Sequence, residues 1–273
     1  MPVIELTVGH EGRPRVGLPT KQLVNAYAEA TKEGPTGAAR LPRPGLTDWG
    51  TAGDGPILRQ FQSPGLFNGA LFSVSGGTLY RDTTSLGAVP YSLQPRMAAN
   101  LTQLAIVSGG ALFVYDGAAL TLVPYFDDGV SRLPPFSSVT VLFNIFVYTV
   151  AGSNQFYFSN TGDATLINAA NFANAETMPD PILEVATLAD ELYFFGSRTI
   201  EPWSFTGSLT LPFQLAQGRT YNRGTAAQGS VVKLDNSLFW VGDDLSVYRA
   251  SAVPEKISTP YIDDTLRQAR DGI

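Results

Sequence analysis

One histidine, His10, and no cysteine set narrow limits on the chemistry open to this 273-residue chain. A Ser-His-Asp triad would have to use His10, and no Gly-x-Ser-x-Gly turn is present to expose a serine nucleophile. His10 sits in an extended N-terminal stretch and reads as an exposed or interface residue. Zinc sites combine several His and Cys ligands, which this composition does not supply. The lack of cysteine also removes disulfides and thiol nucleophiles. Gly50-Thr51-Ala52-Gly53-Asp54-Gly55 is glycine-rich. Its order is wrong for a phosphate loop and no helix pattern follows it, so it reads as a surface turn. Acids stand in pairs at Asp127-Asp128, Asp243-Asp244 and Asp263-Asp264. Calcium needs about six to eight oxygens in a set geometry, and none of the pairs lies in an EF-hand loop. Glycoside hydrolysis needs two carboxylates at a fixed separation, which spacing alone does not establish, and no Asp-box repeat accompanies them. The expectation is no catalytic, cofactor-binding or metal site.

Charged residues make up only 15% of the chain, against about 25% in an average soluble domain. Hydrophobic residues reach 44%, enough for a large core. Few solvating charges on a large chain point to permanent assembly. Residues 1–43 carry net +2, which leaves −8 on the remainder. Tight nucleic-acid binding needs clustered Lys and Arg, so an acidic body argues against it. The start, Met1-Pro2-Val3-Ile4-Glu5-Leu6, predicts no signal peptide. The most apolar window, Val139 to Ala151, is shorter than the roughly 20 residues of a membrane span.

The elements are hairpins, and they repeat. Leu71, Leu104, Ile145, Leu192 and Leu238 each open a short apolar run, at spacings of 33, 41, 47 and 46 residues. Each run meets a turn rich in Gly, Ser, Asn or Asp and returns in a second run containing aromatics. Examples are Ser108-Gly109-Gly110 before Ala111 to Tyr115, and Gly242-Asp243-Asp244 before Leu245 to Arg249. Such turns supply the positive φ of tight hairpins. The intervals approach the roughly 40–50 residues of propeller blades and leave room for two further strands each. Leu120 to Tyr125, Ser137 to Leu142 and Ser230 to Leu234 are candidates. Phe72, Tyr80, Tyr115, Phe146, Tyr193, Trp203, Phe239, Trp240 and Tyr248 alternate along these strands and read as core and blade-to-blade packing. The predicted class is all-β: a propeller-like domain of about five hairpin blades over residues 56–258. An extended N-terminal arm covers residues 1–55. A C-terminal helical tail, residues 259–273, holds a helix from Tyr261 to Ala269. Leu23, Tyr27 and Leu46 are the expected apolar anchors of the arm.

Leu23-Val24-Asn25-Ala26-Tyr27-Ala28-Glu29 and Leu41-Pro42-Arg43-Pro44-Gly45-Leu46 resemble the opening of the phage P22-type tail hub family, also called tail accessory or packaged-DNA stabilisation proteins. Lys256-Ile257-Ser258-Thr259-Pro260-Tyr261-Ile262 resembles that family's segment between late blades. The resemblance implies a homohexameric ring below the portal and the adaptor, or head-to-tail connector. Such a ring retains packaged DNA and passes it out at infection. It implies a place in the virion tail, synthesis in the host cytoplasm, and neighbours such as a tail needle, tip or tailspike. DNA would pass transiently, with no stable membrane insertion and no catalytic residues or cofactors. The expected lumen is neutral or acidic, with Asp127, Asp128, Asp243, Asp244 and Glu255 as candidate contributors. The alternative is a carbohydrate-binding or glycoside-cleaving propeller, which would gather acids and aromatics in its mouth.

Overall fold

A computed structural model describes residues 26–30, 38–42, 45, 50–63, 65–90, 94–175, 180–208 and 210–271. His10, Leu23 and Leu46 lie outside these residues, as does the side chain of Tyr27. The chain separates into two compact units, residues 50–257 and residues 1–49 with 258–273.

The larger unit is a five-blade β-propeller. Every blade is a four-stranded antiparallel sheet with its strands in chain order. Blade one comprises β3 (Ile57–Gln62), β4 (Leu71–Ser75), β5 (Thr78–Arg81) and β6 (Thr84–Ala88). Blade two comprises β7 (Arg96–Ala99), β8 (Leu104–Ser108), β9 (Ala111–Tyr115) and β10 (Leu120–Val123). Blade three comprises β11 (Phe136–Leu142), β12 (Ile145–Val150), β13 (Gln155–Ser159) and β14 (Ile167–Asn174). Blade four comprises β15 (Ile182–Leu188), β16 (Glu191–Gly196), β17 (Ile200–Phe205) and β18 (Phe213–Leu215). Blade five comprises β19 (Val232–Leu234), β20 (Ser237–Val241), β21 (Val247–Ala250) and β22 (Pro254–Lys256). Each of the five expected hairpins thus occupies its own sheet.

The second strand of each blade explains why the hairpins were legible. A strand whose two faces are both covered reads as a continuous apolar run. Along β8, Leu104 and Ile106 join the core shared with blade one, while Ala105 and Val107 join the core shared with blade three. Along β12, Phe146, Tyr148 and Val150 face blade two, and Ile145 and Val147 face blade four. Along β16, Leu192 and Phe194 face blade three, and Tyr193 and Phe195 face blade five. The strand period of two divides each run between two interfaces. Full burial of such a side chain contributes about 1.5–3 kcal/mol.

Turns follow the same chemistry. Gly109 and Gly110, at φ +58° and +82°, reverse the chain between β8 and β9. The turn after β20 differs from expectation. Leu245, at φ +61°, stays in the turn, and β21 starts at Val247. The Gly242 N–H donates to the Ser246 carbonyl (2.8 Å) and the Ser246 N–H to Asp244 Oδ1 (3.1 Å), which lengthens the loop by two residues. Side chains also bind one blade to the next. Gln103, before β8, accepts from the Ala164 N–H (2.7 Å) and donates to Asp163 Oδ1 (3.3 Å) in the loop before β14. Asn100 Nδ2 donates to the Gly162 carbonyl in the same loop (3.2 Å).

In the smaller unit, β1 (Ala26–Ala30) pairs antiparallel with β2 (Ala38–Pro42). The helix α1 spans Pro260–Asp271, one residue earlier and two later than expected. Proline suits the first helical position, and the Thr259 carbonyl accepts the first helical bond, from the Asp263 N–H at 3.1 Å. Asp263 is buried and accepts from Ser258 Oγ (2.5 Å), so one member of the third acid pair belongs to the helix start.

Candidate functional site

The chemistry of a propeller concentrates where the first strands of its blades meet. In β3, β11 and β15 a register shift falls one residue into the strand, between Ile57 and Arg59, Phe136 and Ser138, and Ile182 and Glu184. A bulge of this kind re-aims the residues beside it. It sets Arg59, Ser138 and Glu184 at equivalent positions on three blades. Arg96, first residue of β7, joins them. Its Nε lies 3.1 Å from Glu184 Oε1, outside hydrogen-bond geometry, with both side chains almost fully buried. Arg96 NH1 also donates to the Gln94 carbonyl at 3.0 Å.

This ion pair joins blades two and four, and blade five closes onto it. The Gly229 N–H donates a short hydrogen bond to Glu184 Oε2. Gln228 Nε2 donates to the Ser137 carbonyl of blade three (2.8 Å). Gly229 has φ +91°, and a Cβ there would stand 2.7 Å from the Arg96 guanidinium, so only glycine fits. Burial pushes the Glu184 carboxyl pKa up, and Arg96, the Gly229 N–H and Arg59 pull it partly back. Burial likewise lowers the Arg96 pKa, with Glu184 opposing it. Burial wins on both partners, as expected when desolvation outweighs attraction.

The cavities beside this cluster hold no acid. One of about 300 Å³ is lined by Gln94, Ser108, Ser137 and Gln228 together with Val107, Pro135, Phe136 and Ala151. Another, of about 650 Å³ at the other end of the first strands, is lined by Ala99, Leu101, Val141 and Phe143 alongside Ser63, Asn100, Thr102 and Asn144. Among the described residues no group of three or more His, Asp or Glu side chains forms a cluster able to hold a metal ion. No described helix is long and apolar enough to cross a membrane.

The five acids considered for a lumen fall in two places, the turn after β10 and blade five. Asp127 and Asp128 follow β10. Asp127 accepts from Asn168 Nδ2 (3.1 Å), and Asp128 Oδ1 accepts from the N–H groups of Val130 and Ser131 (2.8 Å each), closing a turn. Asp243 and Asp244 stand 3.0 and 3.4 Å from Arg223 NH1 in blade five. Glu255 lies in β22, the outer strand of blade five, opposite Arg249. Adjacency in sequence thus reflects turn formation in two of the acid pairs.

Of the nine aromatics expected in the core, seven are buried, and Tyr80 and Phe239 are only half-buried. Sequence reading also passed over the axial residues and Asp180. The available signal was a charge inside an otherwise apolar strand start, as in Ile182-Leu183-Glu184-Val185. Asp180 is buried and accepts from Ser197 N–H and Oγ (3.0 and 2.6 Å), Arg198 N–H (2.7 Å) and Thr199 N–H and Oγ1 (2.9 and 3.2 Å). Burial acts to raise its carboxyl pKa, but these bonds outweigh it and hold the group below the usual range.

A family model described as "Bacteriophage P22 Gp10, beta-propeller" matches residues 4–272. The chain belongs to that family. Within the P22 Gp10 family, a relative is the tail hub protein gp10 of Salmonella phage P22, 30% identical over 148 residues. The match covers 52% of this chain and 31% of the relative, so the chain spans well under half of the relative's length. Among solved structures, BBS1N in complex with ARL6DN shares 12% identity at a TM-score of 0.50, over 77% of this chain and 69% of that one. The Cps50 (Swd1) β-propeller domain of Myceliophteria thermophila shares 12% identity at a TM-score of 0.48, over 82% and 76%. Likeness at this identity concerns the fold alone.

Proposed function

We propose that this chain is a non-enzymatic structural subunit of a short phage tail. Several copies, six by the family resemblance, form a ring below the portal and adaptor that retains packaged DNA and conducts it during ejection. The family match across residues 4–272 carries this reading. The low charge content supports burial of much subunit surface in an assembly. The two cavities described above, and a third beside β9 lined by Leu122, Arg132 and Pro134, carry no carboxylate among the described residues, which favours a scaffold over a glycoside-cleaving propeller. The buried Arg96–Glu184 pair ties the first strands of blades two and four together across the inner side of the blades. A conduit would therefore run between subunits rather than through a blade ring. The N-terminal arm, residues 1–55, serves the assembly in this reading. The helical tail, residues 259–273, flanks the propeller, residues 56–258, in the chain. Tail needle, tip or tailspike proteins are the further neighbours. The protein is made in the host cytoplasm and resides in the virion.

In a closed ring, each charge repeats around the axis, so a modest acidic surface becomes a negative collar. A neutral or acidic lumen lets DNA slide, whereas a basic one would hold it through released counterions. The assembled ring is expected to bind linear duplex DNA no more tightly than about 10⁻⁴ to 10⁻⁶ M at moderate salt, the range of non-specific contacts. Filter binding at two salt concentrations checks this. Much tighter binding that falls steeply as salt rises would reveal a basic track and refute the lumen reading.

A further inference from the structure

Near their N-terminal ends the first strands carry more positive than negative charge. Arg59 of β3, Arg96 of β7 and Glu184 of β15 stand there, with Ser138 at the matching position of β11. The charged neighbours that bear on Arg96 are Glu184 and Arg59, and those that bear on Glu184 are Arg96 and Arg59. Two guanidinium groups thus share one carboxylate, and one positive charge is left over. Arg96 is 4% exposed and Arg59 is half-buried. A buried charge is costly unless a counter-charge and hydrogen bonds offset it, so the surplus calls for an anion.

Hydrogen-bond donors are left over at the same place. The Nε atoms of both arginines are buried and donate to no acceptor among the described residues, Arg96 Nε lying outside hydrogen-bond geometry with Glu184. Ser138 Oγ accepts from the Val185 N–H (3.4 Å), and its own proton goes to no acceptor among the described residues. Gln94 converges on the cluster: its Oε1 and Arg96 NH2 stand 2.6 and 2.7 Å from the point a Cβ on Gly229 would occupy. Gln94, whose carbonyl binds Arg96 NH1, and Gln228, which precedes Gly229, both line the cavity of about 300 Å³. That cavity gives the cluster a polar approach.

We propose that Arg59 and Arg96 hold one small oxyanion of the phosphate class, with the Ser138 hydroxyl and the Gln94 amide as further donors. Guanidinium forks match the oxygens of such an ion, and its charge offsets the surplus. Glu184 limits the site to a single ion, because it engages Arg96 and repels further negative charge. The occupant is small, since Arg96 Nε is sealed from solvent and out of reach of a duplex backbone. It is therefore a free ion and not a phosphate of packaged DNA. The bound ion joins blade one to the Arg96–Glu184 pair, a link that no hydrogen bond or ion pair of the Arg59 side chain makes among the described residues.

The test is calorimetric titration of inorganic phosphate into the purified chain at constant ionic strength, with Arg59→Met alongside. The parent is expected to bind one phosphate per chain saturably. Arg59→Met is expected to bind it at least about tenfold more weakly, the loss of one charge-assisted hydrogen bond. A short DNA duplex in excess is expected to leave the bound phosphate in place. The parent titration alone decides whether the site exists, whatever the stability of the variant, and it does not depend on a place in the tail. Absence of saturable binding by the parent would overturn the proposal, as would equal affinity in the parent and Arg59→Met. Displacement of phosphate by the duplex would also overturn it, by making the site a contact for DNA.

Discussion

Replacing Glu184 by glutamine is expected to lower the stability of the propeller by about 3–5 kcal/mol, because it leaves the Arg96 guanidinium buried without its counter-charge. The side chains of the pair are only 4% and 6% exposed, so water offers little compensation. The lost acceptor strength at the Gly229 N–H adds to the effect. The double variant Arg96→Met/Glu184→Leu is expected to recover most of the loss, and could equal the parent, since apolar replacement of a buried pair is often neutral or stabilising. Urea unfolding of Arg96→Met, Glu184→Leu and the double variant gives the cycle. A double variant as unstable as the sum of the singles would show that the two residues act independently, and that the axis is not held by their pairing.

Asp180→Ala is expected to cost about 3 kcal/mol or more, because it strands the N–H groups of Ser197, Arg198 and Thr199 at the turn into β17. The same site predicts a pH dependence. Its folded-state pKa lies below that of the unfolded chain. The stabilisation is therefore complete above the unfolded value of about 3.9 and is lost as pH falls through the folded one. Unfolding measured between neutral pH and pH 3 should show a steeper acid loss in the parent than in Asp180→Ala. Parallel pH profiles would contradict the role given to this carboxylate. Gly196 completes the arrangement: a Cβ there would stand 2.2 Å from Asp180 Oδ2, so Gly196→Ala should disturb the same turn.

The parts of the fold that a reader of the sequence can see are those where one strand serves two cores. The runs Leu104 to Val107, Ile145 to Val150 and Leu192 to Phe195 are apolar on both faces, and glycine or asparagine turns follow them. The first and last strands of the blades are harder to read. Arg96–Ala99, Phe213–Leu215 and Pro254–Lys256 are three or four residues long and carry no clear alternation. They become strands through pairing with the central hairpin, which is a tertiary effect. Phe239 reads as core from its neighbours, yet it is half-buried, with the Arg249 guanidinium 5.8 Å over its ring on the face turned away from blade four.

The polar sites were legible in the opposite sense. Paired acids attract notice as candidate ligands, but Asp128 and Asp244 accept local backbone hydrogen bonds, the ordinary reason for aspartate in turns. Arg59, Arg96 and Glu184 lie far apart in sequence, one per strand. Only the closure of blades two, three and four around the axis brings Arg96 to Glu184. A lone charge near the start of an apolar strand is the trace such a cluster leaves, and it gains meaning when the same position recurs from blade to blade.

Cryo-EM of tails from the phage that encodes this chain, with the particle's mass and symmetry determined for the purified protein in parallel, tests the central claim most directly. The account predicts several copies, six by resemblance, arranged around the portal axis below the adaptor. It also predicts an open passage between subunits and a filled axis within each propeller. A protein absent from the tail, or present as isolated copies that enclose no passage, would contradict it.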